Sequence, residues 1–269
     1  MSIAAVIAFR LTTADPDRLA RFYCELGFTA EQHQGIPDEE IAVLGLDGTG
    51  ARLSLRLGAQ RVDLDSFETR GKPYPSGVTS ADLCFQHLAL VSDDAHAAWA
   101  RATTAGAAPI STRGPVTLPA SAGGVTAVKF RDPEGHPLEL LQFPPGNRWR
   151  GTGILGIDHS AISVSDIGAS CRFYEKLGLS VQHPTLNSGS TQVALDGLPD
   201  VEVGVVPMMP RADGPHLELL AYQTPTGRPS GQLRANDVAA TRIVWAADRR
   251  ALVRDPDGHL HLLERLTAA

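Results

Sequence analysis

Internal repetition is the feature that most constrains how this chain can fold. The turn Asp132-Pro133-Glu134-Gly135-His136 recurs near the C-terminus as Asp255-Pro256-Asp257-Gly258-His259, 123 residues later. A segment with helix-like spacing that starts at Asp15 recurs from Asp166, 151 residues later. Because a repeat sets the whole architecture, the chain is predicted to consist of several similar units.

The first unit, residues 1–77, shows the pattern of one repeat. Residues 3–11 are predicted to form a strand, and Asp15 is placed to cap a helix that stops at Gly27. Three strands are expected to follow, near residues 40–46, 51–57 and 61–67. The predicted order is therefore strand, helix, strand, strand, strand.

The same order restarts three times, and the fourth unit is cut short. The second unit, 78–146, has a predicted strand at 83–91, a helix from Asp93 or Asp94 to Gly106, and strands at 126–130 and 138–143. The third, 152–226, has a strand at 154–164, a helix at 166–178, and strands near 193–195, 201–206 and 216–222. The fourth, 227–269, keeps only a strand at 241–246 and the closing turn and strand. The Pro- and Gly-containing linker 144–151 suggests two domains, 1–146 and 152–269.

Composition narrows the class of protein. The formal net charge of −6 comes from interspersed acidic and basic residues, so neither a nucleic acid nor an anionic membrane is an expected partner. The three cysteines, Cys24, Cys84 and Cys171, lack metal-type spacing and are expected to be reduced thiols in the cytoplasm. With no signal peptide or apolar span visible, we expect a cytoplasmic monomer or homodimer that acts on a small molecule.

The two inner units place histidine and glutamate at equivalent positions. His87 and His159 each open a strand, and each precedes the Asp that caps the following helix by seven residues. Glu139 and Glu218 lie on the last strand of the same units, where an ionised carboxylate among apolar residues needs a partner. Imidazole and carboxylate together suit one divalent ion such as Zn, Ni, Co, Mn or Fe(II).

The outer units lack this set. Their equivalent positions are occupied by residues that bind a metal poorly or have another expected role: Ala8, Asp63, Thr241 and Leu262. Asp63 shares a strand face with Arg61 and Asp65, and this face is predicted to be solvated. The metal ligands are therefore expected in the inner units alone.

The other histidines are less well supported as metal ligands. His216 shares a strand face with Glu218 and could replace a ligand or line the cavity. His136 and His259 belong to the repeated turn and are expected to be structural, and residues 113–124 form a polar loop that could cover a site or lie plainly on the surface.

The chain resembles the vicinal oxygen chelate superfamily, which includes glyoxalase I, bleomycin-resistance proteins and extradiol dioxygenases. The resemblance rests on His87 and His159, on the Phe-Tyr-x-x-Leu-Gly helix endings, and on the segment from Asp132 to Glu139. It implies an α+β fold in which tandem βαβββ modules pair into two cupped sheets, each around a metal or ligand cavity, with the fourth module truncated.

Two pairings of the modules are open. If the first pairs with the second and the third with the fourth, His87 and Glu139 lie in one cup and His159 and Glu218 in the other. If the inner modules pair, all four residues line one cup. The length of the linkers permits both arrangements.

The resemblance favours a glyoxalase I-like lyase or isomerase. Its metal would bind adjacent oxygens of a small substrate, and Glu139 or Glu218 would act as general base. The alternatives are an Fe(II) extradiol-type ring-cleaving dioxygenase and a metal-free protein that binds a drug or metabolite, because this fold supports several activities.

Overall fold

The computed structural model describes residues 2–265 and contains four modules in sequence. The elements of the first module are β1 (Ile3–Thr12), α1 (Pro16–Glu25), β2 (Thr29–Gly35), α2 (Asp38–Val43), β3 (Gly50–Leu57) and β4 (Gln60–Phe67). Those of the second are β5 (Gln86–Ser92), α3 (Ala95–Thr104), β6 (Ala108–Pro109), β7 (Val116–Thr117), a 3-10 turn (Ala120–Ala122), β8 (Thr126–Arg131) and β9 (Pro137–Gln142).

The second half of the chain repeats this order and then shortens it. The third module contains β10 (Ile154–Ser163), α4 (Ile167–Leu177), β11 (Ser180–Val181), β12 (Thr185–Ser188), α5 (Ser190–Asp196), β13 (Glu202–Met209) and β14 (His216–Thr224). The fourth contains β15 (Arg242–Ala247), β16 (Ala251–Arg254) and β17 (Leu260–Arg265), with no helix among residues 242–265. The predicted α+β fold and the truncated fourth module are confirmed.

Two curled sheets combine modules that are not all consecutive. The outer sheet has the strand order β16-β17-β15-β1-β4-β3-β2 and joins the fourth module to the first. The inner sheet has the order β11-β13-β14-β10-β5-β9-β8-β6 and joins the third to the second, with β12 on β13 and β7 on β8. We call their concave sides the outer cup and the inner cup.

The alternative pairing, first with second and third with fourth, is therefore wrong. Each of the two halves, 1–146 and 152–269, contributes one module to each sheet. That division describes the order of the chain, and its meaning as two folding domains stays a prediction.

The helices α1, α3 and α4 cover the convex side of the sheets, where one apolar core runs between them. Asp15, Asp94 and Asp166 cap α1, α3 and α4 by accepting hydrogen bonds from backbone N–H groups of the first turn. The core includes residues of both sheets, among them Tyr23 of α1 and Tyr174 of α4, both fully buried. No helical segment within residues 2–265 combines the length and apolarity that crossing a membrane requires.

The repeated turns have the expected structural role. Asp132 accepts hydrogen bonds from three backbone N–H groups of its own turn, and His136 Nε2 lies 3.0 Å from the carbonyl oxygen of Thr12 at the end of β1. In the second copy, His259 Nε2 lies 3.0 Å from the carbonyl oxygen of Ser163 at the end of β10. Each turn thus fastens a module to the first strand of another.

Two predicted strands are wrong. Residues 40–46 and 193–195 lie in or beside the short helices α2 and α5, which occupy equivalent places in the first and third modules. A short apolar run has no periodicity that separates a strand from a buried helical turn. The actual second strand of the first module, β2, is exposed along its whole length and gives no apolar signal.

Candidate functional site

The strands that carry the predicted ligands are neighbours in the inner sheet. β10 and β5 are antiparallel at its centre, and β14 and β9 flank them as parallel partners in the order β14-β10-β5-β9. In this register Ala161 lies opposite His87, and His159 lies opposite Ala89. Since side chains at alternate positions share a face, both histidines point into the inner cup.

The structure brings all four predicted residues together. His87 Nε2 lies 3.0 Å from Glu139 Oε2, and His159 Nε2 lies 3.8 Å from the same oxygen. His159 Nε2 is also 3.5 Å from Glu218 Oε2. The four side chains line one cavity of about 280 Å³.

These residues fit a metal ion. Both ring nitrogens of His87 and Nε2 of His159 are buried and have no hydrogen-bond partner within residues 2–265. Unpaired buried polar atoms are costly, and an ion would satisfy them. One donor atom from each of His87, Glu139 and His159 lies within 4.8 Å of the other two, whereas Glu218 stands outside this tight group.

Asp158 orients one of the histidines. Its Oδ2 lies 3.1 Å from His159 Nδ1, and its Oδ1 pairs with Arg148 at 3.2 Å. A carboxylate on Nδ1 holds the proton there and leaves Nε2 free to bind a metal. Because neighbouring residues of a strand point to opposite faces, Asp158 would be expected to point away from the cup. A β-bulge between Ile157 and His159 lets the side chains of both Asp158 and His159 reach the cup. The sequence gives no signal for that bulge.

Neighbouring charges keep the carboxylates ionised. Burial alone would raise the pKa of Glu139, but Lys129 and His87 lower that pKa to about 2. The pKa of Glu218 is likewise lowered, against the effect of burial, by His159 and His216. Burial lowers the pKa of His87, whereas Glu218 and Asp158 raise that of His159 to about 9 against the effect of burial.

A mostly apolar wall surrounds this polar group. Residues of the loop after β7, including Leu118, Ser121 and Val125, line the cavity, so the predicted polar loop does border the site. His216 lies beside Glu218, with its Nε2 3.5 Å from Oε1, and one donor atom from each of His216, His159 and Asp158 lies within 4.8 Å of the other two.

Sequence reasoning missed several polar residues of the cavity: His183, Asn187, Gln192, Tyr222 and Lys129. Lys129 lies directly across from Glu139 in the β8–β9 register, and Tyr222 lies four residues beyond Glu218 on β14, so strand position was a signal for these two. Asn187 and Gln192 lie on β12 and α5, which were not predicted, and His183 lies between β11 and β12.

Within residues 2–265, the outer cup contains no such group of histidines and carboxylates. Ala8 and Leu262 belong to a small apolar cluster with Val244. Asp63 is fully buried and pairs with Arg10 at 3.3 Å, so its predicted position on a solvated face is wrong. The reason is that the arginines facing the same cup supply the charges that its burial requires.

The predicted equivalent of His87 in the fourth module is off by one residue. β15 aligns Arg242 with Arg10 of β1, which is the place that His87 takes opposite Ala161 in the inner sheet. Thr241 precedes the strand. The inner histidine therefore corresponds to a buried arginine.

Comparisons with known proteins agree with this fold. The model of the family described as Glyoxalase/Bleomycin resistance protein/Dioxygenase superfamily matches residues 5–140 and 156–263. The crystal structure of glyoxalase I from Zea mays is similar, with 19% identity, a TM-score of 0.58, and coverage of 96% of this chain and 91% of that one. A Bacillus subtilis subsp. subtilis str. 168 protein called "putative dioxygenase" has 15% identity, a TM-score of 0.60, and coverage of 97% and 85%. No curated protein sequence matches significantly.

Proposed function

Because the chain belongs to the glyoxalase/bleomycin resistance protein/dioxygenase superfamily, we propose that its inner cup is the active site of a divalent-metal-dependent lyase or isomerase. The substrate is a small molecule with two adjacent oxygens. One observation carries the proposal: both ring nitrogens of His87 and Nε2 of His159, all buried and without a hydrogen-bond partner within residues 2–265, face two carboxylates in a single cavity.

His87, His159 and Glu139 would hold the ion, and Glu218 is near enough to His159 to complete the set. When bound, a divalent ion supplies Lewis acidity toward substrate oxygens. Asp158 holds the His159 ring in place. These assignments use the residue types that borderline divalent ions prefer.

Glu218 is the proposed general base. It stands outside the tight donor group, and its side chain is 20% exposed, compared with 7% for Glu139. Its lowered pKa keeps it ionised at neutral pH. Glu218 takes a proton from the hydroxyl-bearing carbon, and the electron pair moves toward the adjacent carbonyl oxygen. The proton returns at the neighbouring carbon, and the hydroxyl proton passes to the former carbonyl oxygen, so that the two carbons exchange oxidation states.

Metal analysis tests the first part. Protein purified without chelators and reconstituted separately with Mn, Fe(II), Co, Ni or Zn should retain about one ion per chain. Two ions per chain would contradict a single inner site. No retained ion would favour a metal-free binding protein.

Proton transfer tests the second part. The metal-loaded protein should exchange the carbon-bound hydrogen of an α-hydroxy ketone or a hemithioacetal with deuterium from D₂O, as followed by NMR. Glu218→Gln should slow the exchange by about 10²–10⁴-fold while keeping most of the metal. Loss of exchange in strict proportion to loss of metal would remove Glu218 as base.

A second candidate is an Fe(II) ring-cleaving dioxygenase. It is favoured by the tight group of His87, Glu139 and His159, which has the two-histidine, one-carboxylate composition of non-haem iron oxygenases. Oxygen uptake by the Fe(II)-loaded protein with catechol would support it, especially if Glu218→Gln leaves that uptake intact.

A further inference from the structure

The inner cavity contains a second polar group that the proposed reaction does not use. Lys129 on β8 is 3% exposed, and its Nζ lies 2.6 Å from Asp196 Oδ1 at the end of α5. Gln192 donates from Nε2 to Asp196 Oδ2 at 2.8 Å. A buried ion pair of this kind does not by itself stabilise a fold, so its place in a ligand cavity requires another explanation.

The Lys129 ammonium has N–H donors that are not used by Asp196. An ammonium carries three N–H donors, and within residues 2–265 one of them has a side-chain acceptor, Asp196. Both oxygens of Asp196 are already engaged. The remaining N–H groups of Lys129 are therefore available to a molecule in the cavity.

Tyr222 adds a second free donor in the same cavity. It lies on β14, four residues beyond Glu218 and hence about 13 Å along the same strand face. The residue is 8% exposed, and its hydroxyl is buried close to Asp196 and Lys129, with no well-formed hydrogen bond within residues 2–265. A buried hydroxyl left unpaired destabilises the fold, which an acceptor atom of a ligand would correct.

The charges decide which kind of acceptor fits. Asp196 already neutralises Lys129, so this end of the cavity offers hydrogen-bond donors without net positive charge. A carboxylate placed here would leave one buried anion uncompensated, which is costly. A neutral carbonyl or hydroxyl oxygen would accept both hydrogen bonds without that penalty.

We infer that Lys129 and Tyr222 form a subsite for an uncharged oxygen acceptor of the substrate. The inference rests on the proposed function, because the substrate's adjacent oxygens are assigned to the His and Glu residues of the same cavity. The substrate class is then a compact, largely apolar molecule that carries a neutral carbonyl or hydroxyl oxygen besides its two adjacent oxygens.

Three probes with the same pair of adjacent oxygens test the subsite. Catechol lacks the distal group, 3,4-dihydroxyacetophenone carries a neutral carbonyl, and 3,4-dihydroxybenzoate carries a carboxylate. In calorimetric titrations of the full Zn-loaded chain, the acetophenone should bind about 10-fold more tightly than catechol. The benzoate should bind no more tightly than catechol, and a benzoate that binds most tightly would overturn the neutral-acceptor assignment.

Two variants locate the effect. Tyr222→Phe should remove most of the advantage of the acetophenone and have no effect on catechol, which lacks the acceptor. Asp196→Asn leaves Lys129 without its counter-charge and should reverse the preference toward the benzoate. Equal affinity of the acetophenone for wild type and Tyr222→Phe would overturn the role of Tyr222.

The outcome separates the subsite from the proposed function. If the acetophenone binds and responds to Tyr222→Phe while catechol does not bind, the assignment of the adjacent oxygens fails and the subsite stands. If the wild-type chain binds the acetophenone no better than catechol, or binds neither, the subsite is wrong whatever the metal analysis gives.

Discussion

The inner and outer cups have the same topology and opposite contents. In each, two antiparallel strands form the centre, β10 with β5 or β1 with β15, and each centre is flanked by two parallel partners. The inner cup holds an open cavity with unpaired histidine nitrogens. The outer cup is filled with arginine side chains paired to carboxylates.

The register of the strands makes the comparison residue by residue. Each ligand position of the inner cup has an outer counterpart that has lost or changed its chemistry: His159 corresponds to Ala8, His87 to Arg242, Glu139 to Leu262 and Glu218 to Asp63. Only the last pair keeps a carboxylate. The outer cup therefore lacks the nitrogen donors that a borderline ion prefers.

The positions around these residues become more charged in the outer cup. Where the inner cup has the small or apolar residues Ala161 and Leu220, the outer cup has Arg10 and Asp65. The outer charges pair closely: Asp65 contacts Arg52 at 2.7 Å and Arg242 at 3.0 Å. A fold of this type thus keeps a cavity where apolar walls surround a few polar groups, and loses it where the walls themselves carry paired charges.

The short helices α2 and α5 differ between the outer and inner cups in the same way. α2 brings Glu40 into the outer cup, where it contacts Arg10 and Arg52. α5 brings Gln192 and Asp196 to the inner cavity, and Asp196 pairs with the single lysine there. The outer helix closes a network of ion pairs, whereas the inner one forms part of a cavity wall.

Removing an inner histidine should have the largest effect. His87→Ala and His159→Ala should each reduce the bound metal from about one ion per chain to a small fraction, because each deletes one of the three donors of the tight group. Turnover should fall by at least about 100-fold, since loss of an outer-shell partner alone costs 10–100-fold. Elemental analysis and activity on the same samples measure both.

His33→Ala is the matched control. His33 lies on the exposed strand β2 and pairs with Asp17 at the surface, so its loss should change neither quantity. If His87→Ala and His159→Ala differ, with one of them retaining full metal, the metal is not shared across the two inner modules.

Removing the outer counterpart of His87 should affect stability instead. Arg242 is fully buried and contacts Asp65 at 3.0 Å and the Thr12 hydroxyl at 3.0 Å. Arg242→Met leaves a buried carboxylate without part of its compensation and should cost about 3–5 kcal/mol, measured by urea unfolding. Metal content of the folded protein should not change.

Arg56→Met supplies the comparison for that variant. Arg56 pairs with Glu31 at the surface, with its side chain 43% exposed, and such pairs contribute about 0–1 kcal/mol. An Arg242 variant no less stable than this control would show that the outer network does not stabilise the fold.

The repeat explains how much could be predicted from the sequence. The modules, the α+β fold and the convergence of His87, Glu139, His159 and Glu218 in one cup follow from residues that recur at equivalent places. The features that were not predicted depend on packing that leaves no pattern in the local sequence. The bulge at Asp158 and the helices α2 and α5 are set by tertiary packing, which overrides short apolar runs.

One error had a signal that could have corrected it. Asp82 and Asp237 each accept a hydrogen bond from the backbone N–H three residues earlier, so the two segments before β5 and β15 repeat 155 residues apart. That offset aligns His87 with Arg242. The buried ion pairs of the outer cup had no comparable signal, because alternating charges on a strand are also typical of a solvated face.

The convex sides of the two sheets differ as well, and the pH dependence of stability tests this difference. His261 on β17 takes the place that Leu138 has on β9 and is fully buried. Its Nδ1 accepts the indole N–H of Trp245 at 3.1 Å, and its Nε2 lies 2.8 Å from the Tyr174 hydroxyl. Burial lowers the pKa of His261 to about 4.

The sign of the pH effect follows from that shift. The unfolded chain, with an ordinary histidine pKa near 6.5, takes up the proton first, so stability is complete above about pH 6.5 and is lost as the pH falls toward 4. Of the groups facing His261, Asp255 opposes the lowered pKa and His259 supports it. This residue should account for about 3 kcal/mol across the window, at about 1.4 kcal/mol per pKa unit.

His261→Leu copies the residue of the second module and should flatten the dependence of the unfolding free energy on pH between 4 and 6.5. The difference between variant and wild type isolates this group from the other histidines, and His33→Ala should retain the full wild-type slope. An unchanged slope in His261→Leu would show that His261 is not the group that couples protonation to unfolding.

The smallest effect on the active site is expected from Asp63→Asn, although Asp63 is the outer counterpart of Glu218. Asp63 contacts Arg10 at 3.3 Å and accepts a hydrogen bond from the Ser54 hydroxyl at 2.7 Å, and no histidine belongs to this network. The variant should therefore leave metal content and turnover within about twofold of wild type, while its unfolding free energy falls by about 1–3 kcal/mol through the weakened charge pairing. Glu218→Gln should show the reverse pattern, a large loss of turnover with little loss of stability. If Asp63→Asn lowered metal content as strongly as His159→Ala, the outer cup would share in metal binding, and the functional difference between the two cups proposed from their contents would be wrong.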